Sequence, residues 1–405
     1  ASRLRCPDAM PTLPYTAAEL ADSKLLLDLL MHLDASGARD DEIEDALLLV
    51  AAEPLQRTLR QDIGPEKLSI ARLQREAAAR GRDEDDASVT TYVTYGYRLD
   101  WLPAVVEALD PPDEFETDGA HFLTGEEAVL LLLRRYRSTG PLRAMTWETG
   151  RSISAISEAV WYMVEHIHNR FPYLCDERAF TSWAPHYHEF AAAFQECGIP
   201  IPNLIGFIDG KLWPIARPGK FQHVVYSGHK RIHGLKTQGI VFPNGICPYL
   251  FGPVNGSRHD ATVLRRSKII QILRDVCRGG PLAAPGMQNG LGEDYRLFGD
   301  SAYPLSTWLY RMYKGVMQPW QQRFNRDMSA ERVAAEWGFG HIVQLWPFLD
   351  YRKKHKVLLA PVGRHFGVAN VLSNIHTILS GGNIISRRYG LLPPSLGAYM
   401  AGGPY

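Results

Sequence analysis

Several features are scarce in this chain of 405 residues, and each scarcity excludes something. There are five cysteines, Cys6, Cys175, Cys197, Cys247 and Cys277, widely spaced and with no Cys-x-x-Cys pair. An odd, scattered set argues against a disulfide framework and a zinc finger, and suits a reducing compartment. His186 and His188, with Cys175 and Cys197, also lack the paired spacing of a zinc site and read as structural residues. No apolar run approaches the ~18 residues of a membrane-spanning helix. The opening Ala1-Ser2-Arg3-Leu4-Arg5 has no apolar stretch behind it, so a signal peptide is not expected. The absence of an initial methionine fits a trimmed chain or a fragment. Net charge is lacking too: 44 Lys+Arg balance 44 Asp+Glu. Taken alone, that zero argues against a nucleic-acid binder, which usually shows a basic excess.

The balance hides a division. Residues 1–120 hold 12 basic and 25 acidic side chains, a net of −13; residues 121–405 hold 32 and 19, a net of +13. Such asymmetry points to a basic working domain and an acidic region with another task. The length suggests two to three domains at ~150 residues each. A hydrophobic content of 45% is enough for a sizeable core.

Residues 16–80 read as helical, with Leu25, Leu26, Leu29, Leu30 and Leu33 at helical spacing. The run 82–86 reads as a solvated linker, and the Pro- and acid-rich 110–118 as a second boundary. Thr124-Gly125-Glu126-Glu127 opens a helix to 137, and a short helix at 141–148 follows a Gly turn. Gly150 ends it, and Ser152 caps a longer helix with Ile153, Ile156, Val160, Met163 and Ile167 on one stripe. This is the outline of a helix-turn-helix or, alternatively, of an ordinary helical hairpin.

From about 200 the period changes. Leu204 to Asp209 is a short apolar strand ending in a carboxylate. Two further apolar runs flank Pro243-Asn244-Gly245, and Asn-Gly between such runs signals a hairpin. Residues 260–277 read as one helix, Tyr295 to Asp300 as another strand ending in a carboxylate, and 329–345 as a helix carrying Glu331 and Glu336. The order is that of an α/β domain. Asp209, Asp300 and Glu336 are therefore candidate ligands for a hard divalent cation such as Mg2+, which takes oxygen donors. Two such ions can clamp the attacking and leaving oxygens of a phosphoryl displacement. Alternatively the two Asp residues only end strands, and Glu336 only faces solvent. Glu336 lies among apolar neighbours and two glycines, Gly338 and Gly340, as an inward-facing ligand would. Each glycine costs the helix about 1 kcal/mol against Ala, so close packing or an approaching substrate is expected there.

Five segments in order resemble the PIF/Harbinger-type DDE transposases and their transposase-derived nuclease relatives. They are Phe207-Ile208-Asp209-Gly210, the run from His229 to Gln238, Gly256-Ser257-Arg258-His259-Asp260, Gly299-Asp300-Ser301-Ala302-Tyr303-Pro304, and Phe324-Asn325-Arg326 with Arg332 to Gly340. The resemblance covers roughly 120–385. It implies an RNase H-like catalytic domain, a mixed sheet flanked by helices; the α-helical domain with a helix-turn-helix before it is read from the residue pattern. The expected divisions are an acidic helical region 1–118, which carries no motif of the family, a helical region 119–199 with the helix-turn-helix, a nuclease domain 200–385 and a Gly/Pro-containing tail 386–405. It implies a DNA endonuclease or transposase that cleaves and transfers strands with two Mg2+ ions, for which Mn2+ can substitute. Asp209, Asp300 and Glu336 carry over as catalytic metal ligands. Asp260 with His259 is a weaker site element, which orients the first strand, touches DNA or simply caps a helix.

Residues 211–356 hold 22 basic and 9 acidic side chains, a density that suits a phosphate track. Candidate nucleic-acid contacts are Lys211, Lys230, Arg231, His233, Lys236, Arg258, His259, Arg352, Lys353 and Lys354, with Arg217, Lys220, Arg265 and Arg266 beside them. The run 352–356 reads equally as a nuclear-import signal. Expected partners are double-stranded DNA, a Myb/SANT-like DNA-binding protein by resemblance, and a second copy of the chain; the expected compartment is the nucleus. Two other readings stay open: a domesticated nuclear DNA-binding or chromatin protein that does not cleave, and an RNase H-fold nuclease acting on RNA.

Overall fold

The computed structural model describes residues 68–403 apart from 81–82, 284–285, 288, 353–354 and 358–361. The expected helices before residue 68 therefore lie outside the described residues. Leu68–Leu142 and Ser154–Tyr405 make one compact unit, to which Arg143–Ile153 does not belong.

The unit opens with helices whose ends are set by polar side chains. In α1 (Ile70–Ala79), Ser69 Oγ accepts the Arg72 N–H at 3.1 Å. In α2 (Glu84–Tyr95), Asp83 Oδ1 accepts the Asp86 N–H at 2.8 Å, and left-handed Gly96 closes the far end. The acidic run at 83–86 is thus a helix start and not a linker, because Asp favours the N-cap and negative charge favours the first turn. After α3 (Leu102–Leu109), residues of the expected boundary form a small hairpin, β1 (Glu114–Glu116) against β2 (Phe122–Thr124). In α4 (Gly125–Arg137), Thr124 caps the start, Glu126 and Glu127 lie in the first turn, and Arg134, Arg135 and Arg137 in the last, matching the helix dipole. Helices α5 (Leu142–Thr149) and α6 (Ile153–Arg170) follow where the sequence puts them. Most of α5 lies in the separate segment, so the three helices are not established as a helix-turn-helix. In α6 the stripe Ile156, Val160, Met163 and Ile167 is buried, whereas Ile153 is exposed. Two shorter helices, α7 (Glu177–Ser182) and α8 (Tyr187–Glu196), lead into the sheet.

The main sheet is built on β3 (Leu204–Pro214). The continuous apolar run Leu204 to Ile208 is buried, as a strand covered on both faces requires. The short helix α9 (Gln222–Val225) and β4 (Tyr226–Ser227) precede β5 (Ile232–Val241), which returns antiparallel to β3. The Asn-Gly turn then sends β6 (Tyr249–Asn255) back along β5. Gly245 takes the left-handed φ of 82°, and the Asn244 carboxamide accepts the Ile246 N–H within the turn. This turn is buried, unlike most; Asn383 Nδ2 satisfies the Gly245 carbonyl at 2.9 Å.

Residues 260–277 form two helices instead of the expected one, α10 (Asp260–Ser267) and α11 (Ile269–Arg278). Lys268 between them is left-handed at φ 56°, which ends the first helix. Then β7 (Arg296–Gly299) pairs parallel with β3, and β8 (Leu309–Arg311), a strand the sequence reading missed, pairs parallel with β7. The order β6-β5-β3-β7-β8, three antiparallel strands followed by two parallel ones and flanked by helices, is the RNase H-like arrangement.

Helix α12 spans Pro319–Leu345, starting well before the expected 329. Pro319 sits at its first position, and Gln318 and Gln321 form a reciprocal capping box. After α13 (Val362–Leu379), the expected tail carries α14 (Ile384–Tyr389) and α15 (Leu396–Met400). Tyr389 joins the core cluster of Phe194, Phe207, Phe298 and Met328, and Tyr399 is also buried. Arg388 and the Tyr389 hydroxyl both bind Glu331 on α12, so that buried carboxylate is paired.

The two helix glycines differ. A side-chain carbon at Gly338 would lie 2.5 Å from Val241 Cγ2 on β5, while one at Gly340 would meet nothing within 4 Å. Close packing explains Gly338 but not Gly340. Gly338→Ala should therefore destabilise the protein by about 1–3 kcal/mol despite its better helix propensity, since the stiff β-branched Val241 must give way. Gly340→Ala should stabilise it by up to about 1 kcal/mol. Urea unfolding of both variants checks the opposite signs.

Candidate active site

Asp209 lies within β3, which runs on to Pro214, so the strand does not end at this carboxylate as expected. The antiparallel pairing with β5 continues past it, Asp209 opposite Gly239 and Gly210 opposite Gln238. On the other side, the parallel pairing with β7 stops at Ile208 opposite Gly299. Asp209 is thus the first residue of β3 beyond the parallel ladder, and Asp300 is the first residue after β7. Neighbouring strands lie about 4.8 Å apart, so these two carboxylates leave the sheet side by side.

Asp209 is half-buried and accepts the Gly210 N–H at 2.8 Å. Asp300 is exposed; its side chain accepts the Ser301 N–H and its carbonyl accepts the Tyr303 N–H. Glu336 is exposed on α12 and not inward-facing as expected. Five residues rotate a helix by about 140°, so the face that buries Glu331 cannot also bury Glu336. Glu336 is still near enough for its charge to act on Asp209. Gly338 touches Val241, and Phe339 packs so close to Gly239, opposite Asp209, that an added carbon there would lie 2.9 Å from its ring.

Asp260 does not cap its helix; the N-cap of α10 is His259, which makes no side-chain cap bond. Asp260 instead forms a 2.9 Å ion pair with Lys236, whose ammonium also donates to the Arg258 carbonyl. A side-chain carbon at Gly210 would lie 2.8 Å from Asp260 Oδ1, so the glycine lets this carboxylate approach the strand next to Asp209. Tyr303 and Gln238, whose roles no local pattern signals, complete the surroundings. Tyr303 is buried, its hydroxyl accepts Gln238 Nε2 at 3.0 Å, and its ring lies against Gly299. Burial and the charges of Asp260, Asp209 and Asp300 hold its phenol well above the ordinary value, so it stays protonated beside the carboxylates.

The charges of this cluster act on one another. Burial first, then Asp300, Asp260 and Glu336, raise Asp209 to about 6, against the opposing N–H of Gly210. Among the described residues no three His, Cys, Asp or Glu side chains are arranged to hold an ion. The donors are nonetheless all carboxylate oxygens, the set a hard divalent cation prefers, and its positive charge would relieve their repulsion.

The expected nucleic-acid contacts divide. Lys230, Arg231, Arg258, His259 and Arg352 are exposed, and Lys211 and His233 are partly so. The Lys211 ammonium lies 5.6 Å from the Trp213 ring centroid, and Tyr226 packs on His233. Lys236 is not a surface cation, because Asp260 and Arg258 engage it. Lys353 and Lys354 lie outside the described residues. Of the four residues weighed for zinc, His186 pairs with Glu189, His188 with the Pro185 carbonyl, and Cys175 and Cys197 with the carbonyls of Pro172 and Arg388.

The profile of a protein family described as DDE superfamily endonuclease matches residues 208–374. Among curated proteins, "Protein ALP1-like" of Arabidopsis thaliana is 23% identical over 258 residues, covering 62% of this chain and 61% of its own length. "Putative nuclease HARBI1" of Rattus norvegicus is 24% identical over 248 residues, covering 60% of this chain and 64% of its own. The chain thus spans about three fifths of the length of the curated relatives it matches. No solved structure matches it.

The raised Asp209 carries a pH dependence. Its neutral form suits the fold, so its contribution is intact below the ordinary value of 3.8 and is lost as pH rises through about 6. In chelator-containing buffer, Asp209→Asn should gain stability over the wild type as pH climbs from 4 to 6, levelling at about 2–3 kcal/mol above that. Thermal unfolding across this range checks it; a difference that stays flat or shrinks with pH would contradict the assignment.

Proposed function

From a chain that belongs to the DDE superfamily of endonucleases, among the Harbinger transposase-derived nucleases, we propose a divalent-metal-dependent DNA nuclease whose catalytic carboxylates are Asp209, Asp300 and Glu336. The observation that carries the reading is positional. The parallel ladder of β3 and β7 ends one residue short of both Asp209 and Asp300, and α12 is pressed onto the sheet beside them. Three carboxylates from three separate elements are what a phosphoryl-transfer site needs.

In this reading Asp209, Asp300 and Glu336 would hold Mg2+ or Mn2+, which supplies charge neutralisation and activation of the attacking oxygen. Asp209 is the fixed ligand, because its backbone is held on the antiparallel side and its carboxylate by Gly210. Asp300 and Glu336 are exposed and remain accessible to substrate. Asp260, neutralised by Lys236, packs against Gly210 and so positions β3. Tyr303 and Phe339 wall the site and exclude water from its floor. The exposed cations Lys230, Arg231, Arg258 and Arg352, with the half-exposed Lys211, would hold phosphates. Double-stranded DNA is the proposed substrate and the nucleus the proposed compartment. A second copy of the chain and a Myb/SANT-like protein are the proposed partners, supported by the sequence resemblance alone. Transposition as such belongs to the same proposal, since strand transfer uses the same carboxylates.

Purified wild-type protein should nick supercoiled DNA with Mg2+ or Mn2+ and not with chelator. Asp209→Asn, Asp300→Asn and Glu336→Gln should each lower the rate by at least about 100-fold, the upper figure for losing a mere outer partner of a metal site. Mg2+ should also raise the melting temperature of the wild type and not of Asp209→Asn. Nicking that persists in all three variants sinks the reading. Tight DNA binding by the wild type with no cleavage under either ion would favour the domesticated binding protein instead.

A further inference from the structure

Beyond the carboxylates, one exposed apolar feature has a distinctive setting. It lies between β8 and α12. Val316 is fully exposed and Trp320 is 58% exposed. Tyr313 meets the edges of Trp320 and Phe324 at centroid distances of 5.2 and 5.3 Å, so the indole stands on an aromatic base.

The loop is tied down and not loose. Asn325 holds Tyr313 from both sides, accepting its N–H at 2.9 Å and donating to its carbonyl at 3.0 Å. Its amide also reaches Met317 Sδ, and Gln322 donates to the Met317 carbonyl at 3.2 Å. Left-handed Gly315 turns the chain so that Val316 projects from the tip. This effort holds an apolar surface facing water, which folding alone does not reward.

The surroundings say what would cover it. Residues 300–327 contain four basic side chains, Arg311, Lys314, Arg323 and Arg326, and two acidic ones, Asp300 and Asp327, at the ends of the segment. Lys314, Arg323 and Arg326 are exposed. Aromatic faces rimmed by cations are the combination that binds unpaired nucleic-acid bases, the ring stacking and the cations tracking phosphates. An apolar protein partner would not call for that charge.

The location fits the same occupant. Gly299 pairs with Arg311, so the loop leaves the sheet at Met312 beside Asp300. Trp320 and Glu336 share α12 and are 16 residues apart, about 24 Å along a helix. The platform and the carboxylates are thus joined by one rigid helix and by the strand that leaves the sheet beside Asp300.

We propose that Trp320, with Tyr313 beneath it, is a stacking platform for an unpaired DNA base on the strand that reaches the carboxylates. The proposal rests on the nuclease reading in that the strand reaching the carboxylates passes over the platform.

The test uses the full-length chain carrying Asp209→Asn, which holds cleavage off. Its affinity is measured for a 30-base-pair duplex and for the same duplex with four central unpaired bases, one of them 2-aminopurine. The unpaired probe should bind more tightly, and its 2-aminopurine fluorescence should be quenched on binding. Adding Trp320→Ala should weaken binding of the unpaired probe by about tenfold, leave duplex binding within about twofold and abolish the quenching. Trp320→Phe should restore most of both. Trp320 is exposed, so its loss should not unfold the protein, which circular dichroism checks. Equal binding of the unpaired probe with and without Trp320 overturns the platform while leaving the nuclease reading intact. Failure to bind either probe overturns the DNA reading and the platform with it. Self-association lost on Trp320→Ala, with no effect on DNA, assigns the surface to a second copy of the chain and also overturns it.

Discussion

The short parallel ladder between β3 and β7 is the constraint on which the site depends. It is only a few residues long, and it ends where the carboxylates begin. Asp209 and Asp300 are therefore neighbours because of backbone pairing and not through any attraction between them. Their charges oppose the arrangement, and the buried run from Leu204 to Ile208 supplies the apolar stabilisation that holds it. Burial first, and then the neighbouring carboxylates, raise Asp209, and such perturbed groups cluster at functional sites.

The antiparallel half of the sheet serves the same end. On β5, Gln238 supports Tyr303, Gly239 admits Phe339, and Lys236 neutralises Asp260, so three tasks fall within the four residues 236–239. The glycines opposite and beside them mark close approaches. Gly210 makes room for Asp260, Gly299 for Tyr303 and Gly338 for Val241. A side chain at any of these places would push the carboxylate-bearing elements apart.

Much of this was legible in the residues, and the failures have physical causes. Apolar runs announced β3 and β7, and Asn-Gly announced the hairpin, because both are local signals. Asp209 was misplaced at a strand end because Asp-Gly ordinarily turns; here the antiparallel ladder overrides the local preference. The Lys236–Asp260 pair was invisible because its partners are 24 residues apart and meet only across the sheet. A strand of three residues such as β8 carries too few positions to show a period. The start of α12 was missed because its first two turns mix aromatic, amide and basic side chains with no apolar stripe, although Pro319 and the Gln318–Gln321 box were there to be read. The acidic front as a whole, apart from its last part, lies outside the described residues.

The Glu331 clamp has a mechanical consequence. Arg388 and Tyr389 fix both the axial position and the rotation of α12, because a bidentate guanidinium and a phenol grip one carboxylate from the side. Glu336 and Trp320 ride on the same rod. Helix α14 thereby acts as the bolt on a gauge: it sets at what angle the two ends of α12 are presented to anything that lies along it. Sliding that rod by one residue would turn both ends through about 100° together, so the two ends keep a fixed relation to each other.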